Sequence, residues 1–163
     1  MRRRAREPLW NGAGEGAVNR AMFGDTITLY NHWREGGRGG TDRWQRTVMR
    51  GVQIRQRAEL ALSQDGRLLL AKTVSITIPE GVDAGGRRYL TPPAFATDDG
   101  REMGWTLDAS RNLDVIVLGE CVAEPGDGYP LQRLQKEHGY ASVKAVSVNT
   151  PRGRLRHWRV TAV

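Results

Sequence analysis

Residues 44–81 read WQRTVMRGVQIRQRAELALSQDGRLLLAKTVSITIPEG, and the reading of this stretch decides the fold. In its second half Val74, Ile76 and Ile78 alternate with Thr73, Ser75 and Thr77. Apolar side chains at every second position line one face of a strand, and β-branched residues suit that pleated surface. In the first half Val48, Val52 and Ile54 share one parity, with Gly51 placed to form a β-bulge. Asp65-Gly66 between the halves is a tight-turn signal, so two strands joined by a hairpin turn are predicted.

The same chemistry extends on both sides. Upstream, in GDTITLYNHW (Gly24–Trp33), Ile27 and Leu29 face one way and Thr26, Thr28 and Tyr30 the other, and the glycine-rich Arg34–Arg43 is a turn. Downstream, Asp114–Val122 is apolar on both parities and reads as a central strand. Tyr129–Gly139 reads as a helix, with Pro130 in its first turn, Leu131 and Leu134 on one face and Gly139 as its stop. Two strands, ASVKAVSVN and RLRHWRVTAV, follow it. Gly81–Asn112 is weakly patterned and reads as a long inserted loop with short strands. The expectation is a mainly β protein, an antiparallel β-barrel or sandwich. It has one short helix in the C-terminal half, a loop insertion at 81–112, and one domain over residues 23–163.

Residues 1–22 stand apart. Arg2, Arg3, Arg4, Arg6 and Trp10 lie in a segment with no periodicity and too little apolar surface to order alone. This basic N-terminal arm is expected to order only against a neighbour, since fixing each residue costs about 1–2 kcal/mol of backbone entropy. Its charged start is not followed by an apolar stretch, which argues against a secretory signal. No apolar run approaches the roughly 20 residues that span a bilayer, so no membrane partner is expected.

The chain is 163 residues long and 39% hydrophobic, which suits one core better than two. Formal charge is +7, and of 25 basic residues only Lys72, Lys136 and Lys144 are lysines. Arginine suits phosphate and carboxylate partners, but scattered arginines also follow from genomic base composition. A single cysteine, Cys121, excludes an intrachain disulfide, and His32, His138 and His157 lack the spacing of a metal site. GAGEGA at 12–17 has no strand before it and no helix after it, so it is not a dinucleotide loop. Asp98, Asp99 and Glu102 read as solvated loop charge rather than an acid–base pair, and Trp44 and Trp158 as packing residues rather than base-stacking platforms. No catalytic, metal or cofactor residues are assigned, and a structural or binding role is expected instead of an enzyme.

FGDTITLYNHW…DRWQRTVMRGVQIR, NLDVIVLGECV and LQRLQKEHGYASVKAVSVNTPRGRLRHWRV together resemble small proteins of tailed-phage and prophage head–tail modules. In those, an ITLYN-type strand opens the domain and an ending with Asn, Gly, His and Trp closes it; Asn149, Gly153, His157 and Trp158 occupy the matching positions. The resemblance covers about Phe23–Val163, is poor over Gly81–Asn112, and makes Met22 the natural start. It implies a head-completion or stopper-type connector, a β-barrel subunit of a sixfold ring in the virion neck, assembled in the host cytoplasm. The implied partners are further copies, the portal–adaptor above, and the tail terminator or tube below. A loop of such a ring projects into the DNA channel, which here would carry Arg87, Arg88, Tyr89 and Phe95. An adaptor or tail-terminator ring of the same neck is the near alternative. A non-specific nucleic-acid-binding barrel is the alternative of another class.

Overall fold

Strand alternation becomes pairing in the computed structural model, which describes residues 22–149 and 156–163. The strands are β1 (Asp25–Glu35), β2 (Thr41–Leu62), β3 (Leu68–Pro79), β4 (Arg88–Tyr89), β5 (Gly104–Trp105), β6 (Val115–Leu118), β7 (Ala141–Asn149) and β8 (His157–Ala162). Six of them close into an antiparallel barrel in the order β1-β2-β3-β8-β7-β6, while β4 and β5 form a small parallel pair. Ile27, Leu29, Met49, Val52, Ile76, Ile78, Ile116, Val143 and Val160 are fully buried in the barrel core. The predicted mainly β, antiparallel architecture is therefore present.

One bulge re-aims β2. Thr26 opposes Arg50 and Asp25 opposes Val52, which leaves Gly51 without a partner at φ +88°. A side chain at that φ is strained, and glycine is not. The extra residue flips the parity of the strand. Thr47 and Met49 are buried before the bulge, Val52 after it, and Ile54 then packs on the core. Val48 thus does not share a face with Val52 and Ile54, because equal sequence parity means equal facing only in an unbroken register.

A second, smaller core lies against the strands. Tyr30, Val115, Val117, Cys121 and Leu134 cluster there, while Ile27, Leu29 and Ile116 belong to the barrel interior. This explains why the β6 region is apolar on both parities, although the strand itself is only Val115–Leu118. The helix Leu131–Glu137 supplies Leu134 and follows Pro130 at its N-cap, with Gly139 beyond its end at φ +67°. Tyr30 donates its hydroxyl to the Ala123 carbonyl at 2.8 Å, and burial pushes its ionisation well above the ordinary range. Thr28 Oγ1 donates to the Gly119 carbonyl and accepts from the Cys121 amide, both at 2.8 Å.

Outside this layer, Arg43, Arg46 and Arg50 of β2 reach Asp127, Glu124 and Glu120. Each such exposed pair contributes at most about 1 kcal/mol. Together they show part of the arginine content bracing the 120–127 segment.

Residues 81–112 differ most from the expected extended loop. They contain two short helices, α1 (Pro92–Phe95) and α2 (Asp98–Met103), so that with α3 (Leu131–Glu137) the described residues include three such helices where one was expected. Ala84, Trp105 and Leu107 are buried with the barrel core, and Phe95 is buried too. Irregular backbone can bury large side chains without any period that a sequence pattern would reveal. Gly104 is required by proximity, since a Cβ there would meet Leu90 Cδ1 at 2.4 Å and the Arg88 carbonyl at 2.8 Å.

Candidate assembly surface

Beyond the barrel, β2 and β3 continue as a two-stranded ribbon. β1 pairs with β2 only as far as Val52, and β8 pairs with β3 only from Val74. The β2–β3 register nevertheless runs unbroken from Gln53↔Thr77 to Leu62↔Leu68. The turn is closed by Gly66 at φ +75°, the Gly66 amide on the Ser63 carbonyl at 2.9 Å and the Ser63 amide on the Arg67 carbonyl at 2.8 Å. Arg55 to Leu62 at about 3.4 Å per residue makes the projection roughly 27 Å long.

Period two sorts the ribbon's side chains. Ile54 and Ile76 are cross-strand partners on the core side, so Gln56/Val74, Ala58/Lys72, Leu60/Leu70 and Leu62/Leu68 share that face. Leu60, Leu62, Leu68 and Leu70 are 70%, 73%, 66% and 58% exposed. Arg55/Ser75, Arg57/Thr73 and Glu59/Ala71 occupy the reverse face. Among the described residues Arg55, Arg57, Arg67 and Lys72 make no ion pair. An isolated two-stranded ribbon is marginal in water, and one with a clustered apolar face marks an interaction surface.

At another part of the barrel a buried carboxylate fastens the 106–114 segment. Asp114 accepts from the His32 amide at 2.8 Å, from Asn31 Nδ2 at 2.9 Å and from the Asp108 amide at 3.1 Å. Asn31 Nδ2 also donates to the Thr106 carbonyl at 2.8 Å, and Asn31 Oδ1 accepts from the Thr106 amide at 3.2 Å. Burial pushes the Asp114 carboxyl up to about 6, with the three N–H donors opposing the rise. A cleft of about 1010 Å³ opens beside it, lined by Trp33, Arg38, Pro92, Arg101 and Arg111 among others. The Arg101 guanidinium stacks 4.3 Å over the Trp33 ring and pairs with Asp98. Trp33 and Asp114 are therefore both engaged within the chain. Asp99 and Glu102 are exposed on α2, in keeping with solvated charge.

The residues singled out from sequence fall in different places. Tyr89 packs on Trp158 with centroids 4.6 Å apart, and Trp105 meets Trp158 edge-on at 5.4 Å. Trp158 is thus a core residue, and Trp44 packs against the smaller core while donating to the Leu113 carbonyl at 3.2 Å. Arg87 turns back to the Arg46 carbonyl at 2.7 Å and to Thr47 Oγ1 at 2.9 Å. Of the expected channel-loop group only Arg88 is exposed; Phe95 is buried, and Arg87 and Tyr89 are half-buried. Asn149 Nδ2 and His157 Nε2 lie 3.1 Å apart across the β7–β8 pairing. Arg2, Arg3, Arg4, Arg6, Trp10 and Gly153 lie outside the described residues.

Among the described residues no group of three or more His, Cys, Asp or Glu is placed to hold a metal ion, and no helix is long and apolar enough to cross a membrane. Both strands of the ribbon are legible in the sequence but their exposure is not, because alternation shows which side chains share a face and not whether anything covers it. No curated protein and no solved structure matches the chain. Residues 22–163 match the profile described as a family of unknown function (DUF6751), and the chain belongs to that family.

Proposed function

We propose that this chain is a structural subunit of a tailed-phage neck, a connector of the stopper type that sits as a ring between the portal–adaptor and the tail and helps retain packaged DNA. Two things support the reading: the residue pattern over Phe23–Val163 and, carrying most weight, the leucine-faced ribbon on a closed barrel. Among the described residues the ribbon combines two free strand edges with four exposed leucines, a surface suited to an assembly contact. In a neck ring such a projection adds contact area to a small subunit. Adaptor and tail terminator are variants of this role in the same neck.

The test is made in particles. Mass spectrometry of purified virions should find the protein, and deletion of its gene should yield filled heads and free tails that fail to join. Virions that lack the protein yet are joined normally would refute the reading. A second reading, non-specific DNA binding, is favoured by Arg55, Arg57, Arg67 and Lys72 of the ribbon, which make no ion pair among the described residues. It predicts DNA affinity of the isolated chain that falls steeply with salt.

A further inference from the structure

We infer that the β2–β3 ribbon is a self-pairing element, its leucine face seated against the ribbon of a second copy of this chain. The inference goes beyond the assembly role proposed above: a contact between two identical surfaces closes at two copies, so it joins subunits in pairs and is not the heterologous contact that runs around a ring. Residues 55–62 and 68–73 have free outer edges, whereas the neighbouring parts of β2 and β3 are covered by β1 and β8. A strand ribbon with free edges and an apolar face is a template for pairing with another like it. Two identical surfaces satisfy one another by symmetry without a further partner.

Charge selects the face. The chain carries +7, so two copies repel unless they meet where charge is sparse. The leucine face holds one charged residue, Lys72, toward its base, while the reverse face holds Arg55, Arg57 and Glu59. Leucine face on leucine face therefore joins the two ribbons at their least charged surface and turns both arginine pairs outward. Leu69, on the reverse face at 55% exposure, has no part in the contact.

The full-length chain, its Leu60→Asp/Leu70→Asp double variant and a Leu69→Asp control are compared by sedimentation velocity over a concentration series, with circular dichroism to confirm the fold. The wild type should associate. The double variant should weaken association about 30-fold or more with an unchanged spectrum, and the control should follow the wild type. Hydrogen exchange of the wild-type amides at 55–62 and 68–73 gives a measurement free of substitutions, and these should lose protection on dilution. A wild type that stays monomeric with unprotected ribbon amides overturns the inference. So does a double variant that associates as before, or a control that dissociates equally. Flotation with phosphatidylglycerol vesicles is run alongside, and ribbon-dependent capture by vesicles without self-association assigns the leucines to a lipid surface instead. Because the readout is association of purified protein, it can succeed or fail independently of whether the protein is found in virions.

Discussion

Replacing Asp114 by Ala tests the account of how the 106–114 segment is held. Two opposing effects follow from the geometry. Loss of the carboxylate leaves the His32 and Asp108 amides without their acceptor, whereas Asn31 Nδ2 keeps the Thr106 carbonyl. Each buried donor so orphaned costs about 1–3 kcal/mol. Against this, the wild type buries an ionised group at neutral pH. The gap between the ordinary 3.8 and about 6 corresponds to about 3 kcal/mol. At pH 7 the two nearly cancel, and the variant should be only about 1 kcal/mol less stable. On acidification the folded wild type takes up a proton before the unfolded chain does. Stability from this group is fully present below pH 3.8 and is lost as the pH rises through about 6. The wild type should therefore gain about 1.4 kcal/mol relative to the variant between pH 7 and pH 5. Urea unfolding followed by tryptophan fluorescence at pH 7, 6 and 5 measures the difference directly, since other titrating groups are common to both proteins. Parallel stability profiles would refute the reasoning and place the Asp114 carboxyl in the ordinary range.

Two further outcomes are expected. Trp158→Ala, which opens a cavity against Tyr89 and Trp105, should cost about 3–5 kcal/mol and erase much of the near-ultraviolet dichroism; a loss under 1 kcal/mol would contradict the packing described. Gly51→Ala should cost about 1–2 kcal/mol from backbone strain alone, because an added Cβ would meet nothing nearer than the Phe23 carbonyl at 3.7 Å. Thermal melts read that cost, and an unchanged or raised Tm would show that the bulge tolerates a side chain.

Much of the barrel was legible because strands announce themselves locally. Val74, Ile76 and Ile78 alternate in sequence and point inward together, and Asp65-Gly66 lies in the turn it promised. The facing of Val48 was not legible, since a bulge is placed by glycine but its effect on parity depends on the partner strand. Phe95 and Trp105 were hidden for a different reason: they are buried from short, irregular elements that carry no period. The Asn31–Asp114 contact joins residues 83 apart; each lies in a stretch readable as a strand, but nothing in either stretch says that they meet. The ribbon lay between these cases. Its strands, turn and facing were all readable, yet nothing in the order of residues says that β1 and β8 stop short and leave Leu60 and Leu70 uncovered.

β2 runs for 22 residues from the barrel wall to the tip of the projection without a joint. A load applied at the tip is consequently carried along one continuous backbone into the wall, as shear on the hydrogen bonds to β1 and β3, instead of bending a flexible tether. Barrel and projection thus act as a handle and its shaft.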